Sequence, residues 1–240
     1  MSTPVRFPGG INTSKLTSGT GAMKNNHPFV NLPYPDPFRV FHNDDDFESY
    51  RTVDWTLTLV GAGTSAAVAG AGGLIQLTTG AVLNDSVNLQ HATASYLGAV
   101  GQQGWYSTRI IPQLASVPEY YFGMVNGGTT AVAGLTDGFY FHCAAASANV
   151  DFVMMKATVA TTIASIGVLA DATASVWSMY YDGKSTLGYY KDNVLLGTAT
   201  LNAASMPTVN LAPWFYNKNG AAATNYLQVD YLMSAVEMSR

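Results

Sequence analysis

The sequence predicts an all-β fold, an antiparallel sandwich of two sheets, on three observations. The stretch from Val176 to Thr200 reads as three short strands joined by two tight turns, a meander whose apolar face needs a second layer to cover it. Strand-like runs recur elsewhere at spacings of roughly 8 to 15 residues, punctuated by Gly, Asp and Asn. Little amphipathic helical period interrupts them.

In chain order, residues 1–46 read as an extended N-terminal arm. Residues 1–42 hold six of the ten prolines (Pro4, Pro8, Pro28, Pro33, Pro35, Pro37) with Gly9-Gly10 and no sustained period, so NLPYPDP is expected in polyproline or edge geometry. Phe7, Phe29, Tyr34 and Phe38 make this arm too apolar for a solvated linker; it is expected to pack on its own domain or on a partner. Arg6, Lys15, Lys24 and Arg39 against Asp36 give residues 1–42 a net charge of +3, while 7 basic and 14 acidic residues give the remainder -7. The arm is basic and the body acidic. HNDDDFESY (42–50) marks the entrance to that body, taken as 47–240. Its three aspartates lack the spacing of a calcium loop and read as a solvated turn.

Trp55, Leu57 and Leu59 alternate with Thr56 and Thr58 as a strand. Gly61-x-Gly63-x-x-Ala66, with Asp85 downstream, has the outline of a dinucleotide fingerprint, but glycines and another strand follow where a helix is required, so the segment reads as a hairpin loop. Further strands are expected at 74–78, 86–90, 95–97, 104–110, 120–124, 139–141, 150–155, 156–159, 165–168 and 208–211. A helix competes over the Ala-rich 157–172, where β-branched Val159, Thr161, Thr162 and Ile163 favour strand. In the meander Trp177, Met179 and Tyr181 alternate up to Asp182-Gly183; Tyr189-Tyr190 and Val194-Leu195-Leu196 flank a Lys191-Asp192-Asn193 turn. Trp214-Phe215-Tyr216 precedes a last strand in which Leu227, Val229, Tyr231 and Met233 are expected on one face, opposite Gln228, Asp230 and Leu232.

A chain of 240 residues buries about 70 to 75% of its unfolded surface. Charged residues are only 11%, against about 25% in an average soluble protein, which points to surface buried against neighbours or to neutral polar faces. No apolar run approaches the ~18 to 20 residues of a membrane helix, and the N-terminus lacks the layout of a signal peptide, so synthesis in a cytoplasm without membrane association is expected. Cys143 is the only cysteine, which excludes an internal disulfide.

The meander, Asp137-Gly138-Phe139-Tyr140-Phe141 and Tyr226-Leu227-Gln228-Val229-Asp230-Tyr231 together resemble the concanavalin A-like, or laminin-G-like, jelly rolls. A Y-x-D-G-x-x-x-G hairpin of that family is matched by Tyr190 to Gly197 with Asn193 in the glycine's place, a residue that tolerates the left-handed conformation. A narrower likeness is to structural proteins of tailed bacteriophages: an R-F-P-G-G opening (Arg6 to Gly10), a D-F-x-x-Y start, D-W-T-x-T, G-G-L-x-x-L-T, D-S-V-x-L-Q and a terminal V-D-Y strand. That likeness implies a non-enzymatic virion protein decorating or cementing the capsid, partnered by the major capsid protein or neighbouring virion subunits. With the scarcity of charge it also implies a homo-oligomer, such as a trimer.

For chemistry, a retaining glycanase needs two carboxyl groups about 5 to 5.5 Å apart, and of the three glutamates, Glu48, Glu119 and Glu237, none lies in an alternating acidic run. No catalytic residue is therefore selected and the chain is expected not to be an enzyme. His27, His42, His91 and His142 show no metal-ligand spacing, and His142 and Cys143 point to opposite faces of one strand; no metal or cofactor is expected. The acidic body disfavours nucleic acid. Arg6, Phe7, Phe38 and Arg39 are the expected capsid-docking contacts. The alternative is a lectin-like module binding glycan through Trp214, Tyr216 and Asn217.

Overall fold

The computed structural model describes residues 40–70 and 72–237. Strands are numbered in chain order. One sheet has seven strands, in the order β10 (Val159–Val168), β9 (Asn149–Lys156), β8 (Gly138–Cys143), β7 (Glu119–Asn126), β14 (Leu211–Lys218), β5 (Ser86–His91) and β2 (Trp55–Val60). The other has eight: β13 (Val194–Thr200), β12 (Thr186–Lys191), β11 (Ser175–Tyr181), β6 (Gly104–Pro112), β15 (Tyr226–Glu237), β4 (Leu74–Thr78) and β3 (Thr64–Val68), with β1 (Val40–Asp45) pairing along β15 beyond β4. All pairings are antiparallel, and the chain passes repeatedly from one sheet to the other. This is the all-β jelly-roll sandwich of the concanavalin A-like type.

Alternation explains the core. Tyr120, Phe122 and Met124 of β7, Phe139, Phe141 and Cys143 of β8, and Val150, Phe152 and Met154 of β9 point inward to meet Trp177, Met179 and Tyr181 of β11. Phe141 lies 5.3 Å from both Phe152 and Trp177. The meander keeps its expected form: Asp182 Oδ1 accepts the backbone N–H groups of Lys184, Ser185 and Thr186, and Asp192-Asn193 turn with φ of 49° and 66°. The Ala-rich segment forms β10, entered through Ala157-Thr158, both left-handed. The expected strand at 95–97 reduces to one bridge between Tyr96 and Leu211, and the Gly61–Gly63 turn carries the chain from β2 to β3 in the opposite sheet.

Three features differ from the expectation. Residues 40–45, assigned to the arm, form β1, with Phe41 and Asn43 opposite Val236 and Ser234. The aspartate run is not simply solvated, because Asp45 accepts the indole N–H of Trp55 at 2.8 Å and the backbone N–H of buried Phe47 at 2.8 Å. In β15 a bulge between Val229 and Tyr231 reverses the alternation: Leu227, Val229, Leu232, Ser234 and Val236 are buried, while Tyr231 and Met233 turn outward with Gln228.

Gly123 lies between Tyr140 and Trp214 across β8, β7 and β14. A Cβ there would sit 2.5 Å from Phe139 O and Tyr140 Cα, both backbone atoms that cannot rotate away. Gly123→Ala is therefore expected to cost roughly 2 to 4 kcal/mol, read as a lower urea midpoint with an unchanged slope.

Candidate functional site on the seven-stranded sheet

The face of the seven-stranded sheet that points away from the core is itself aromatic and polar. Cross-strand register aligns Thr58, Asn88, Tyr216, Tyr121, His142 and Asp151 in one row spanning six strands. Beside it run Thr56, Gln90, Trp214, Gly123, Tyr140 and Val153. The aromatic members form a second packed cluster with Val125 and Leu135. Tyr121 contacts Trp214 at 5.4 Å, Tyr216 at 5.7 Å and Tyr140 at 5.9 Å between ring centroids.

Part of this face is roofed by the segment from Gly127 to Asp137, which includes the 3-10 turn Val132–Gly134. Side-chain amides pin the roof, as glutamine and asparagine on a buried strand face must find partners. Asn88 Nδ2 donates to Thr129 O at 2.8 Å, Gln90 Oε1 accepts Thr129 N–H at 2.9 Å, and Asn126 Oδ1 accepts Thr136 N–H at 2.9 Å. Trp214 Nε1 donates to Asn88 Oδ1, closing the network onto the indole.

A charged cluster adjoins the aromatic bed at Tyr121, at the end of β7 away from Asn126. Glu119 and Lys218 are register partners, and Lys218 Nζ donates to Glu119 Oε2 at 3.0 Å. Glu119 Oε1 accepts the Tyr121 hydroxyl at 2.6 Å and His142 Nε2 at 3.3 Å. A carboxylate only accepts, so Nε2 carries a proton in this contact. The His142 imidazole stacks on the Tyr121 ring, with 4.2 Å between centroids and 17° between planes. Side-chain exposure of 17% for Glu119, 21% for His142 and 31% for Lys218 places the cluster at the surface without full solvation.

The hydrogen bond from His142, aided by those of Tyr121 and Lys218, outweighs burial and holds the Glu119 carboxyl at about 2, below its usual 4.5. Glu119 is thus an ionised acceptor and an anchor for its three donors, unsuited to donating a proton. Burial first, then the neighbouring carboxylate, pushes the Tyr121 phenol above its usual value, so it remains a donor. A depressed carboxyl contributes stability that is complete above about 4.5 and is lost as pH falls toward 2, here roughly 3 kcal/mol. Glu119→Gln is expected to flatten the dependence of the urea midpoint on pH between those values; a slope equal to that of the parent chain would contradict the cluster.

The expected glycan residues are placed otherwise. Trp214 and Asn217 have 0% exposure and Tyr216 6%. Asn217 also faces the opposite way from the other two, because alternation turns it into the sandwich, where Nδ2 donates to Leu77 O of the other sheet at 2.9 Å. Trp214 and Tyr216 therefore form the bed of the site and Asn217 a tie between sheets, in place of the direct sugar contacts expected of them. Arg6, Phe7, Phe38 and Arg39 lie outside the described residues. Glu119, His142 and Lys218 were not singled out by sequence, since they come from three strands; a readable signal was a charged residue or histidine closing the outward positions of each aromatic strand. Cys143 points into the core, away from His142, and burial pushes its thiol up to about 12.

Fold and site together define a concanavalin A-like sandwich with a polar-aromatic sheet face. No family model and no curated protein matches this sequence. Solved structures do match. An endo-1,3-beta-glucanase from Streptomyces sioyaensis is similar with a TM-score of 0.61 at 12% identity, over 87% of this chain and 100% of that one. Peanut lectin matches with 0.59 at 10% identity, over 84% and 99%, and the carbohydrate recognition domain of Emp47p with 0.56 at 11% identity, over 85% and 99%. The expectation that the chain is not an enzyme is corrected by the glucanase: the same architecture carries a hydrolase. The absence of an alternating acidic run is not decisive, because neighbouring strands assemble groups that no single strand displays, as Glu119, His142 and Lys218 do.

Proposed function

We propose that the chain recognises carbohydrate at the rim of the seven-stranded sheet's outward face, through Glu119, His142, Lys218 and Tyr121. The observation that carries this reading is the charged cluster seated through Tyr121 on an aromatic bed. Sugars present hydroxyls that need fixed donors and acceptors, and C–H faces that pack on aromatic rings. A carboxylate oriented by three donors, with its lysine and imidazole partly exposed, offers such an array at little reorganisation cost. The likeness to a lectin and a carbohydrate recognition domain supports the reading at the level of fold.

A glycan array probed with the full chain, with and without calcium, tests it. Specific oligosaccharide binding is expected, weakened at least about tenfold by Lys218→Met with thermal unfolding retained. Binding indifferent to Lys218→Met and His142→Ala, or none across the array, overturns the site. Mass analysis of the same incubations shows whether bound glycan is also cleaved.

A virion setting is a second reading, favoured by the Arg6–Gly10 opening and the motif order of the sequence. In it the arm docks through Arg6, Phe7, Phe38 and Arg39 on the capsid or a neighbouring subunit, and the sheet face serves attachment. Mass spectrometry of purified particles tests it, and absence of the chain from virions ends it.

A further inference from the structure

The strands at the two lateral edges of the sandwich carry no charged residue of their own; the charges that reach the β10/β13 edge, Lys191 donating to Val168 O and Asp151 accepting Ser165 N–H, come from the strands behind. No Asp, Glu, Lys or Arg occurs from Trp55 to Asn84, from Ala157 to Ala170, or from Asn193 to Asn217. These segments supply β2 and β3 at one edge, and β10 and β13 at the other. Unpaired sheet edges are ordinarily protected by charges, bulges or proline. Here β10 has a bulge between Ile163 and Gly167, which leaves Val159–Ile163 regular, β13 has one at Leu196, and β2 and β3 have no such device.

The edges are also shaped differently. Leu57 and Leu59 pair with fully buried Leu89 and Val87 and so face inward, yet they are 36% and 40% exposed. The sandwich is open there because β3 sets Ser65 and Ala67 opposite Leu77 and Ile75, side chains too small to close the gap. The opposite edge is closed. Gly167 lies against the Trp177 ring and Leu196, which draws β10 onto β13, and Val194, Leu195 and Val159 project at 57%, 51% and 69% exposure.

We propose that copies of this chain associate head to tail, the Val194-Leu195-Leu196 edge of one seated in the open β2/β3 edge of the next. Six residues of β2 span about 20 Å, and two sheets about 10 Å apart with their side chains add a width of about 25 Å, so each edge offers about 500 Å² and a contact about 1,000 Å², the size a specific interface needs. With no charged residue on the edge strands themselves, joining them desolvates little charge, and the cost that remains is mainly that of the edge-strand N–H and C=O groups. Because the two patches differ, the contact is heterologous and joins three or more copies, in a ring where the rotation between copies closes and in an open filament where it does not. Either assembly leaves the outward face of the seven-stranded sheet uncovered and, on the carbohydrate reading above, multiplies weak sites.

Light scattering after gel filtration of the full chain tests this, with Leu195→Asp and Leu59→Asp, at residues 51% and 40% exposed, as single-edge variants whose folding is checked by thermal unfolding. The parent chain is expected as assemblies of at least three times 25.5 kDa, and each variant as a monomer. Mixing the two variants equally is the decisive step: each retains one intact edge, so the mixture is expected to form dimers and nothing larger. A monomeric parent, a parent dimer, or a mixture that stays monomeric overturns the proposal.

Discussion

Deleting Met233 is expected to abolish the native fold, whereas deleting Asp230 is expected to leave it intact at a cost of about 1 to 3 kcal/mol. Asp230 occupies the bulge in β15, the central strand that pairs with β6 on one side and with β4 and β1 on the other. It is the extra residue between Val229, opposite Ile110, and Tyr231, opposite Arg109, so its removal keeps both pairings and leaves Val229, Leu232, Ser234 and Val236 on the buried side. Removing a residue from the regular stretch beyond the bulge instead reverses every side chain that follows. Without Met233, Ser234 and Val236 would face outward and Ala235 would be driven into a filled core. The Asp230 deletion loses the ion pair with Arg109, whose side chain is 40% exposed. Soluble yield and near-ultraviolet circular dichroism distinguish the two; an Asp230 deletion that does not fold, or a Met233 deletion that folds and melts like the parent, would show that the bulge is not what sets the register.

Trp214→Ala is expected to cost about 3 to 5 kcal/mol, although Trp214 lies on the face turned away from the main core. The indole has no exposure, touches Tyr121, Tyr140 and Tyr216, and hydrogen-bonds Asn88, which in turn holds Thr129 of the roof. Its removal leaves a cavity and strands the Asn88 acceptor, so the segment from Gly127 to Asp137 should lose protection in amide exchange along with the global loss of stability. A midpoint shift under about 1 kcal/mol would mean the roof is held independently of the indole. Loss of glycan binding in this variant would report collapse of the bed, which is why Lys218→Met, at a side chain 31% exposed, is the better probe of recognition.

Much of the architecture was legible because it depends on local chemistry: alternation in Trp177, Met179 and Tyr181, turn formation at Asp182-Gly183, and the tolerance of Asn193 for a left-handed φ. The outward turn of Tyr231 and Met233 was not legible, since a bulge at an aspartate has no composition signal and unbroken alternation was the only available rule. Grouping Trp214, Tyr216 and Asn217 followed their adjacency in sequence and neglected the period of two that separates Asn217 from the others. The charged cluster was hidden for a different reason. Glu119, His142 and Lys218 are neighbours only through the pairing of β7 with β8 and β14, a long-range register that adjacency does not encode.

Backbone amide shift mapping with an oligosaccharide selected on the array tests the central claim most directly. The account expects perturbations concentrated at 119–121, 140–142, 151 and 216–218, the positions that register brings together around the Glu119 cluster. Perturbations centred on the outward face of the eight-stranded sheet, or on the β10/β13 edge, would contradict it.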